Sequence, residues 1–202
     1  ANPACLGGVY VQRAGAVEPY RHNLAAAQSA EKLGTEILSR RVTGLLTAGD
    51  RCVGVTFQEG QREGRQVGQM EAGAVVLAMG PWSAEASSWC QATIPISPLK
   101  GQILRLRAPG APYRCSINWY GNYATTKPDG LVWAGTTEEE AGFDETPTTD
   151  ARDRIMVDLL KMVPALADAQ LVHQTACLRP LSSDRLMVLG KAPGWEGVYM
   201  AT

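Results

Sequence analysis

The stretch VVLAMGPWS, residues 75–83, runs from an apolar segment directly into glycine, proline and tryptophan. Its first three residues predict a strand buried on both faces, and Pro81 ends the strand because proline has no backbone N–H. A glycine at the carboxyl end of a strand lets the backbone approach a large ligand, and open α/β sheets bind ligands at that edge. The alternative is that Gly80 only turns the chain into a helix over 83–90, and the spacing alone favours this alternative.

The residues before this strand predict a helix followed by strands. A helix is expected over 20–33, ended by Gly34, and then a short strand over 35–40 and a β-hairpin over 42–57. The inner face of the helix carries small side chains that suit close packing on a sheet: Leu24, Ala25, Ala27 and Ala30. Together these elements indicate part of an α/β fold of the dinucleotide-binding type.

A polar segment over 58–69 carries Gly60, Gly64 and Gly68 at intervals of four. This spacing raises the hypothesis of a glycine-rich phosphate-binding loop. A solvated loop is favoured, because no strand-to-helix context surrounds the glycines.

The second half of the chain has the pattern of an antiparallel sheet with one helix. Residues 97–109 predict a half-buried strand, with Ile103 and its apolar neighbours opposed to a polar face that includes Gln102, and residues 127–130 predict a hairpin turn. A helix capped by Thr149 or Asp150 follows, and its apolar stripe at helical spacing is expected in the core: Ile155, Leu159, Met162, Val163 and Leu166.

Between the sheet and this helix lie three consecutive glutamates, Glu138 to Glu140. They are candidate metal ligands, but hard cations need carboxylates at loop spacing together with other oxygen atoms. A solvated edge is the favoured interpretation, and no metal site is predicted.

Length and charge exclude several classes of function. The chain has 202 residues and a formal net charge of -1, which allows one large or two small domains and gives no basic surface for nucleic acid. No apolar run has the length of about 18 residues that a membrane span needs, and the first residues do not read as a signal peptide. No G-x-S-x-G motif is present.

The five cysteines lack metal-binding spacing, and the only histidines are His22 and His173. Neither a zinc site nor a disulfide framework is therefore predicted. The favoured interpretation is five buried or partly buried free thiols in a reducing cytoplasm.

Four segments in order resemble the FAD-dependent oxidoreductases of the D-amino-acid oxidase superfamily, with glycine oxidase and sarcosine oxidase as the nearest types. They are VVLAMGPWS, ISPLKGQILRLRAP, GLVWAGTTEEEAGFDETPT and CLRPLSSDRLMVLGKAPGWEGVYMAT. The resemblance implies an α+β (α/β) fold: part of an FAD-binding Rossmann-like domain, and an antiparallel-sheet substrate domain with a covering helix. It implies four segments along the chain: a substrate-domain edge (1–16), the middle of the FAD-binding domain (17–92), the substrate-binding domain (93–170) and a truncated C-terminal FAD-binding segment (171–202).

The resemblance also implies site residues. Tyr123 and Arg179 are expected to bind the substrate carboxylate, and a guanidinium can grip a carboxylate with two hydrogen bonds. No catalytic acid, base or nucleophile is assigned. His173, near Arg179 in the sequence, is a candidate for proton transfer, but a lone histidine in a strand favours a structural role. The residues expected beside FAD are Val42, Ala78, Gly80, Trp82 and Ser83.

The implied activity is oxidation of the C–N bond of an amino acid or secondary amine, such as glycine, sarcosine or a D-amino acid. FAD takes the hydride, and dioxygen is the expected acceptor. The alternatives are a non-catalytic subunit or binding module of a heteromeric flavin amine dehydrogenase, and a fragment with no function of its own.

The sequence departs from the superfamily at both ends. It lacks the G-x-G-x-x-G turn that binds the FAD pyrophosphate. It also stops at Thr202, before the residues that contact flavin and substrate in members of the superfamily. The chain is therefore expected to be an internal fragment that is inactive and binds FAD poorly by itself. A homo-oligomer, or a partner chain that completes the FAD site, is the expected assembly.

Overall fold

The structure, a computed structural model, describes residues 2–58 and 67–202. The α-helices are α1 (Pro19–Lys32), α2 (Ser87–Cys90) and α3 (Thr149–Met162), and 3-10 turns cover Gly80–Ala86 and Pro164–Leu166. The strands are β1 (Arg41–Ala48), β2 (Arg51–Gln58), β3 (Val67–Glu71), β4 (Val75–Leu77), β5 (Ile96–Arg107), β6 (Ile117–Trp119), β7 (Asn122–Thr126), β8 (Val132–Gly135), β9 (Gln170–Ser182), β10 (Leu189–Lys191) and β11 (Val198–Ala201). The predicted α+β class is confirmed.

The chain divides into two compact units, each made of two separate segments. Unit 1 comprises Ala1–Glu36 and Lys100–Cys177, and unit 2 comprises Ile37–Leu99 and Leu178–Thr202. Helix α1 thus falls in unit 1, although its residues were assigned to the FAD-binding segment from the sequence. Within the described residues, no helix has the length and hydropathy needed to cross a membrane.

Unit 1 is built on an antiparallel arrangement of strands. The sheet has the order β6-β7-β8-β5-β9, and β5 and β9 each run on into unit 2. Leu104 of β5 aligns with Ala134 of β8, which aligns with Ala124 of β7, and all three are fully buried. The turn between β7 and β8 lies where Lys127 to Gly130 predict it, with the Gly130 N–H donating to the Lys127 carbonyl.

Helix α3 covers the buried face of this sheet. Its predicted apolar stripe is confirmed as core: Ile155, Leu159, Met162, Val163 and Leu166 are all buried. Its cap is one residue earlier than predicted, because the Thr148 hydroxyl accepts the Ala151 N–H. The helix ends at Met162, two residues before Pro164.

The side chains of β5 are divided between its two faces differently from the prediction. Gln102 lies on the buried face, in step with Leu104 and Leu106, and each of these three side chains has no exposed surface. Ile103 is half-buried on the opposite face with Arg105. The prediction grouped residues by polarity, whereas a strand sorts them strictly by alternate position.

Unit 2 contains two three-stranded sheets. Strands β1, β2 and β3 form an antiparallel meander that confirms the predicted hairpin, and Gly68 lies in β3 opposite Phe57 instead of in a loop. Gly60 and Gly64, the other residues of the hypothetical phosphate loop, lie outside the described residues. The second sheet has the order β10-β11-β4, with β11 and β4 parallel.

Three local predictions in the first half of the chain are wrong. Residues 35–40 form no strand, and the extended chain becomes a strand only at Arg41. Val76 is 61% exposed and its aligned neighbour Tyr199 is 41% exposed, because no described residue covers this face of the sheet. Helix α1 has no buried residue, and on its small-residue face only Ala27 and Ala30 are half-buried, so the predicted close packing on a sheet is not observed.

The cysteines are all free, as predicted, but their predicted burial is only partly right. Cys52 and Cys90 lie in the core of unit 2. Burial raises the pKa of the Cys90 thiol, and electrostatic repulsion by Cys52 raises it further. Cys5, Cys115 and Cys177 are exposed. The buried pair therefore behaves as small apolar side chains.

Candidate functional site

The carboxyl ends of β4 and β11 meet at one edge of the unit 2 sheet. The two strands run parallel, with Val75 aligned to Val198 and Leu77 aligned to Met200. Residues 78–83 leave β4 at this edge, and Thr202 follows β11 there. Parallel strands of open sheets present their ligand-binding loops at this kind of edge.

Gly80 begins the 3-10 turn that follows β4, with a φ of +54°. An L-residue adopts this left-handed conformation at a cost, which explains a glycine at this position. A Cβ built on Gly80 meets no heavy atom within 4 Å beyond its chain neighbours. Among the residues that the structure describes, no side chain therefore fills the space next to the Gly80 Cβ position.

Ser83 and Thr202 converge on the Gly80 carbonyl oxygen. The Ser83 Oγ lies 2.7 Å from this oxygen, the Thr202 Oγ1 lies 3.3 Å from it, and the two hydroxyl oxygens are 3.1 Å apart. Ser83 has no exposed surface. Thr202 was not among the residues expected beside FAD. No local signal in the sequence identifies it, because its position depends on the parallel pairing of β11 with β4.

The other residues expected beside FAD differ in exposure. Ala78 is exposed and Trp82 is 44% exposed, and both flank Gly80 at the open edge. Val42 belongs to the same unit but to the other sheet, where it is 39% exposed and pairs with Phe57. The structure thus groups Ala78, Gly80, Trp82 and Ser83 at one edge and places Val42 on β1.

The two residues expected to bind the substrate carboxylate lie in different units. Tyr123 is a half-buried residue of β7 in unit 1, aligned with Gly135 on the face of the sheet opposite to α3. Arg179 is a half-buried residue of β9 in unit 2. His173 is exposed on β9.

A buried polar network in unit 1 is absent from the sequence predictions. The Gln102 amide nitrogen donates to Glu139 Oε1 (2.9 Å) and to the Thr148 hydroxyl (3.2 Å). Its amide oxygen accepts the Thr148 N–H and the Gln174 amide, both at 2.9 Å. Gln102 thus joins β5, the loop before α3, and β9.

Glu139 is part of this network, which corrects the prediction of a solvated glutamate run. It is half-buried and also accepts a short hydrogen bond from the Thr137 hydroxyl, whereas Glu138 and Glu140 are exposed. Within residues 2–58 and 67–202, no three His, Cys, Asp or Glu side chains are grouped so as to hold a metal ion.

An ion pair ties the same loop to β5. Lys100 is 1% exposed, and its Nζ lies 2.8 Å from Asp144 Oδ2. The hydrogen bond from Lys100, with further hydrogen bonds from Thr146, holds the pKa of Asp144 well below its ordinary value.

A sequence model of the family described as FAD dependent oxidoreductase matches residues 1–202. The chain belongs to this family. Its relatives in the FAD dependent oxidoreductase family include the glycine oxidase of Pseudomonas aeruginosa, 33% identical over 168 residues that make up 80% of this chain and 42% of that protein. The hydrogen cyanide synthase subunit HcnC of Pseudomonas protegens is 34% identical over 190 residues, covering 92% of this chain and 43% of that protein.

The fold agrees with solved structures of the family. The crystal structure of glycine oxidase from Bacillus cereus superposes with a TM-score of 0.77 at 24% identity, over 89% of this chain and 48% of that one. The chain thus spans about half or less of the length of the relatives and structures named here.

The open edge of unit 2 fits the cofactor of this family. A flat ring system needs close approach to the backbone and a flank without large side chains. Gly80 leaves the Cβ position empty, Ala78 adds only a methyl group, and the exposed Trp82 adds an aromatic surface. These residues are therefore able to hold part of FAD.

Proposed function

We propose that this chain is part of a flavoenzyme that oxidises the C–N bond of an amino acid or secondary amine, such as glycine, sarcosine or a D-amino acid. Membership of the FAD dependent oxidoreductase family and the similarity to glycine oxidases support the proposal. The single observation that carries it is the position of Gly80, a left-handed glycine beside unfilled space that follows β4, one of two parallel strands.

In this proposal the unit 2 edge holds the cofactor. Ala78, Gly80 and Trp82 form the side next to the flavin, with Ser83 hydrogen-bonded to the Gly80 carbonyl, and the backbone of Val42 pairs with the adenine. When bound, FAD accepts the hydride from the carbon that bears the amine, and dioxygen is the proposed final acceptor. Residues 17–92 and 171–202 are the proposed FAD-binding segments.

The substrate is recognised by its carboxylate. The proposed partners are the Tyr123 hydroxyl, which donates one hydrogen bond, and the Arg179 guanidinium, which donates two in parallel. Fixing the carboxylate fixes the position of the neighbouring carbon, so orientation is the contribution of these residues. Residues 1–16 and 93–170 are the proposed substrate-binding segments.

A second candidate is a subunit of a heteromeric flavin amine dehydrogenase. The similarity to HcnC, whose name describes a subunit, favours it, and this similarity extends over more of the chain than the match to glycine oxidase does. In this case a partner chain completes the FAD site, and an electron carrier replaces dioxygen. A cytoplasmic location, inferred from the free thiols, is proposed for both candidates.

The test is purification of the full-length gene product that carries this chain. The first candidate predicts a yellow protein that releases hydrogen peroxide with glycine, sarcosine or a D-amino acid. Reduction of an artificial acceptor without peroxide, only after a second subunit is added, supports the second candidate. A protein that stays colourless and takes up no FAD, both alone and with the second subunit added, contradicts both candidates.

The role of Arg179 is tested by Arg179→Lys in the same protein. Lysine keeps the charge but loses the two-pronged geometry. The proposal expects the KM for carboxylate-bearing amines to rise by about tenfold or more, since a charge-assisted hydrogen bond contributes about 1.5–3 kcal/mol. An unchanged KM contradicts the role. Arg185→Lys, at an exposed position of unit 2, is the matched control.

A further inference from the structure

The Gly80 carbonyl accepts hydrogen bonds from two side chains that come from the two separate chain segments of unit 2. Ser83 reaches it from the 3-10 turn after β4, at 2.7 Å, and Thr202 reaches it from the chain after β11, at 3.3 Å. A carbonyl oxygen has two lone pairs, so it accepts both hydroxyl protons at once. The same three groups therefore join the ends of the two parallel strands.

Ser83 is poorly placed to touch a ligand directly. It has no exposed surface, and the single proton of its hydroxyl is used within the protein. The resemblance implied that Ser83 lies beside the cofactor. The observed contacts give it a different use, because its hydroxyl reaches the open edge only through Gly80.

Glycine is the residue whose conformation most needs such support. Without a Cβ it populates positive and negative φ with similar ease, so a glycine at an open edge has several backbone conformations available. Two hydrogen bonds to its carbonyl favour the one with φ of +54°. A preformed backbone binds a ligand more tightly, because less conformational entropy is lost on binding.

We propose that Ser83 and Thr202 are positioning residues that hold the Gly80 peptide in its left-handed conformation for FAD, with Ser83 acting through Gly80 and not by contact with the cofactor. The inference rests on the proposed function, in that it takes FAD as the ligand of this edge. We refer to Ser83, Thr202 and the Gly80 carbonyl as the Gly80 clasp.

The experiment is a double-mutant cycle in the full-length gene product, with FAD affinity as the readout. Ser83→Ala, Thr202→Val and the double variant are stripped of flavin and titrated with FAD by flavin fluorescence. Each single variant is expected to raise the FAD dissociation constant about threefold to tenfold, the effect of one hydrogen bond. In the double variant the FAD dissociation constant is expected to rise by less than the product of the two single-variant factors, because both side chains act on one carbonyl.

A conservative variant and controls separate positioning from general stability. Thr202→Ser keeps the hydroxyl and removes only a methyl group, so it is expected to bind FAD within about twofold of the wild type. Ser88→Ala and Thr93→Val alter exposed positions of the same unit and are expected to change nothing. The substrate KM at saturating FAD is expected to stay constant, because the clasp contacts no substrate. Thr202→Ala replaces Thr202→Val if the valine variant does not fold.

The outcomes distinguish the inference from the function on which it rests. A wild type that takes up no FAD contradicts the proposed function and the clasp together. A wild type that binds FAD, while Ser83→Ala and Thr202→Val act independently, contradicts only the clasp and points to direct contact by Ser83. Unchanged FAD affinity with a lowered melting temperature in these variants also contradicts the positioning role, and it shows that the hydrogen bonds of the clasp only stabilise the fold.

Discussion

The Nζ of Lys100 lies 2.8 Å from Oδ2 of Asp144, and the two side chains are 1% and 50% exposed. Removing one member of such a pair leaves the buried charge uncompensated, whereas removing both does not. Asp144→Asn is therefore expected to lower the melting temperature by about 2–4 °C, the shift that a modest loss of stability produces in a chain of this size. The double variant Lys100→Met/Asp144→Asn is expected to recover most of this loss. Thermal unfolding followed by circular dichroism measures both.

A double variant less stable than Asp144→Asn would show that the methylene chain of Lys100 packs better than methionine and that the ion pair is not the decisive feature. The control is Asp168→Asn, at an exposed position of unit 1.

The same carboxylate predicts how stability depends on pH. Hydrogen bonds from Lys100 and then Thr146 hold the pKa of Asp144 below its ordinary value of about 3.9. Because the folded-state pKa is the lower one, the contribution of Asp144 is complete above the unfolded-state pKa and is lost as the pH falls toward the folded-state pKa. The free energy of unfolding, measured with urea, is expected to fall less steeply between about pH 5 and pH 2 in Asp144→Asn than in the wild type. Parallel curves for the two proteins would contradict this prediction.

Gln102 tests the buried network of unit 1. The Gln102 amide is hydrogen-bonded to Glu139, Thr148 and Gln174, so Gln102→Leu removes all the hydrogen bonds by which this buried side chain joins the three residues. The free energy of unfolding is expected to fall by about 1–3 kcal/mol or more, as measured by urea denaturation. Gln170→Leu makes the same change at an exposed position and is expected to be near neutral. Equal effects at the two positions would argue against the network.

Leu159 tests the packing of α3 on the sheet. It is 1% exposed in the core of unit 1, and Leu159→Ala is expected to lower the free energy of unfolding by about 2–5 kcal/mol through the cavity it leaves. Val157 is 54% exposed on the same helix, so Val157→Ala serves as the control and is expected to cost less than about 0.5 kcal/mol. Urea denaturation at neutral pH compares the two.

Gly80 tests whether the open edge is a binding surface. Gly80→Ala is expected to lower the free energy of unfolding by about 1–2 kcal/mol through its positive φ, and Gly80→Asn by less, since asparagine tolerates this conformation. Both variants add a Cβ to the unfilled space, so both are expected to lose FAD affinity to a similar degree. FAD titration of the full-length protein decides the point. Full affinity in Gly80→Asn would show that the space is not used by the cofactor.

The sequence predicted the elements whose signals are local. The β1–β2 hairpin, the turn at Lys127–Gly130 and the stripe of α3 follow from spacing over a few residues, and the structure contains all three. The extended residues 35–40 show the limit of such signals, because a strand also needs a partner whose position the local sequence does not contain.

The site was harder to predict for the same reason. The glycine at the end of β4 was visible in the sequence, but the convergence of Ser83 and Thr202 on it requires the parallel pairing of β4 with β11. The burial of Lys100 and Gln102 was missed because polarity was given more weight than position in the strand, and only their partners on the following loop explain it.

The discontinuity of unit 2 constrains the order in which the chain acquires its structure. Strand β4 gains its parallel neighbour only when β11 is present, and residues 78–197 separate the two. Closing so long a loop is slow relative to local folding, and synthesis from the N-terminus delivers β11 after the other strands described above. The apolar side chains around Leu77 therefore remain without Val198 and Met200 until ribosomal synthesis has passed residue 200. During that interval the nascent chain exposes a surface of the type that chaperones bind.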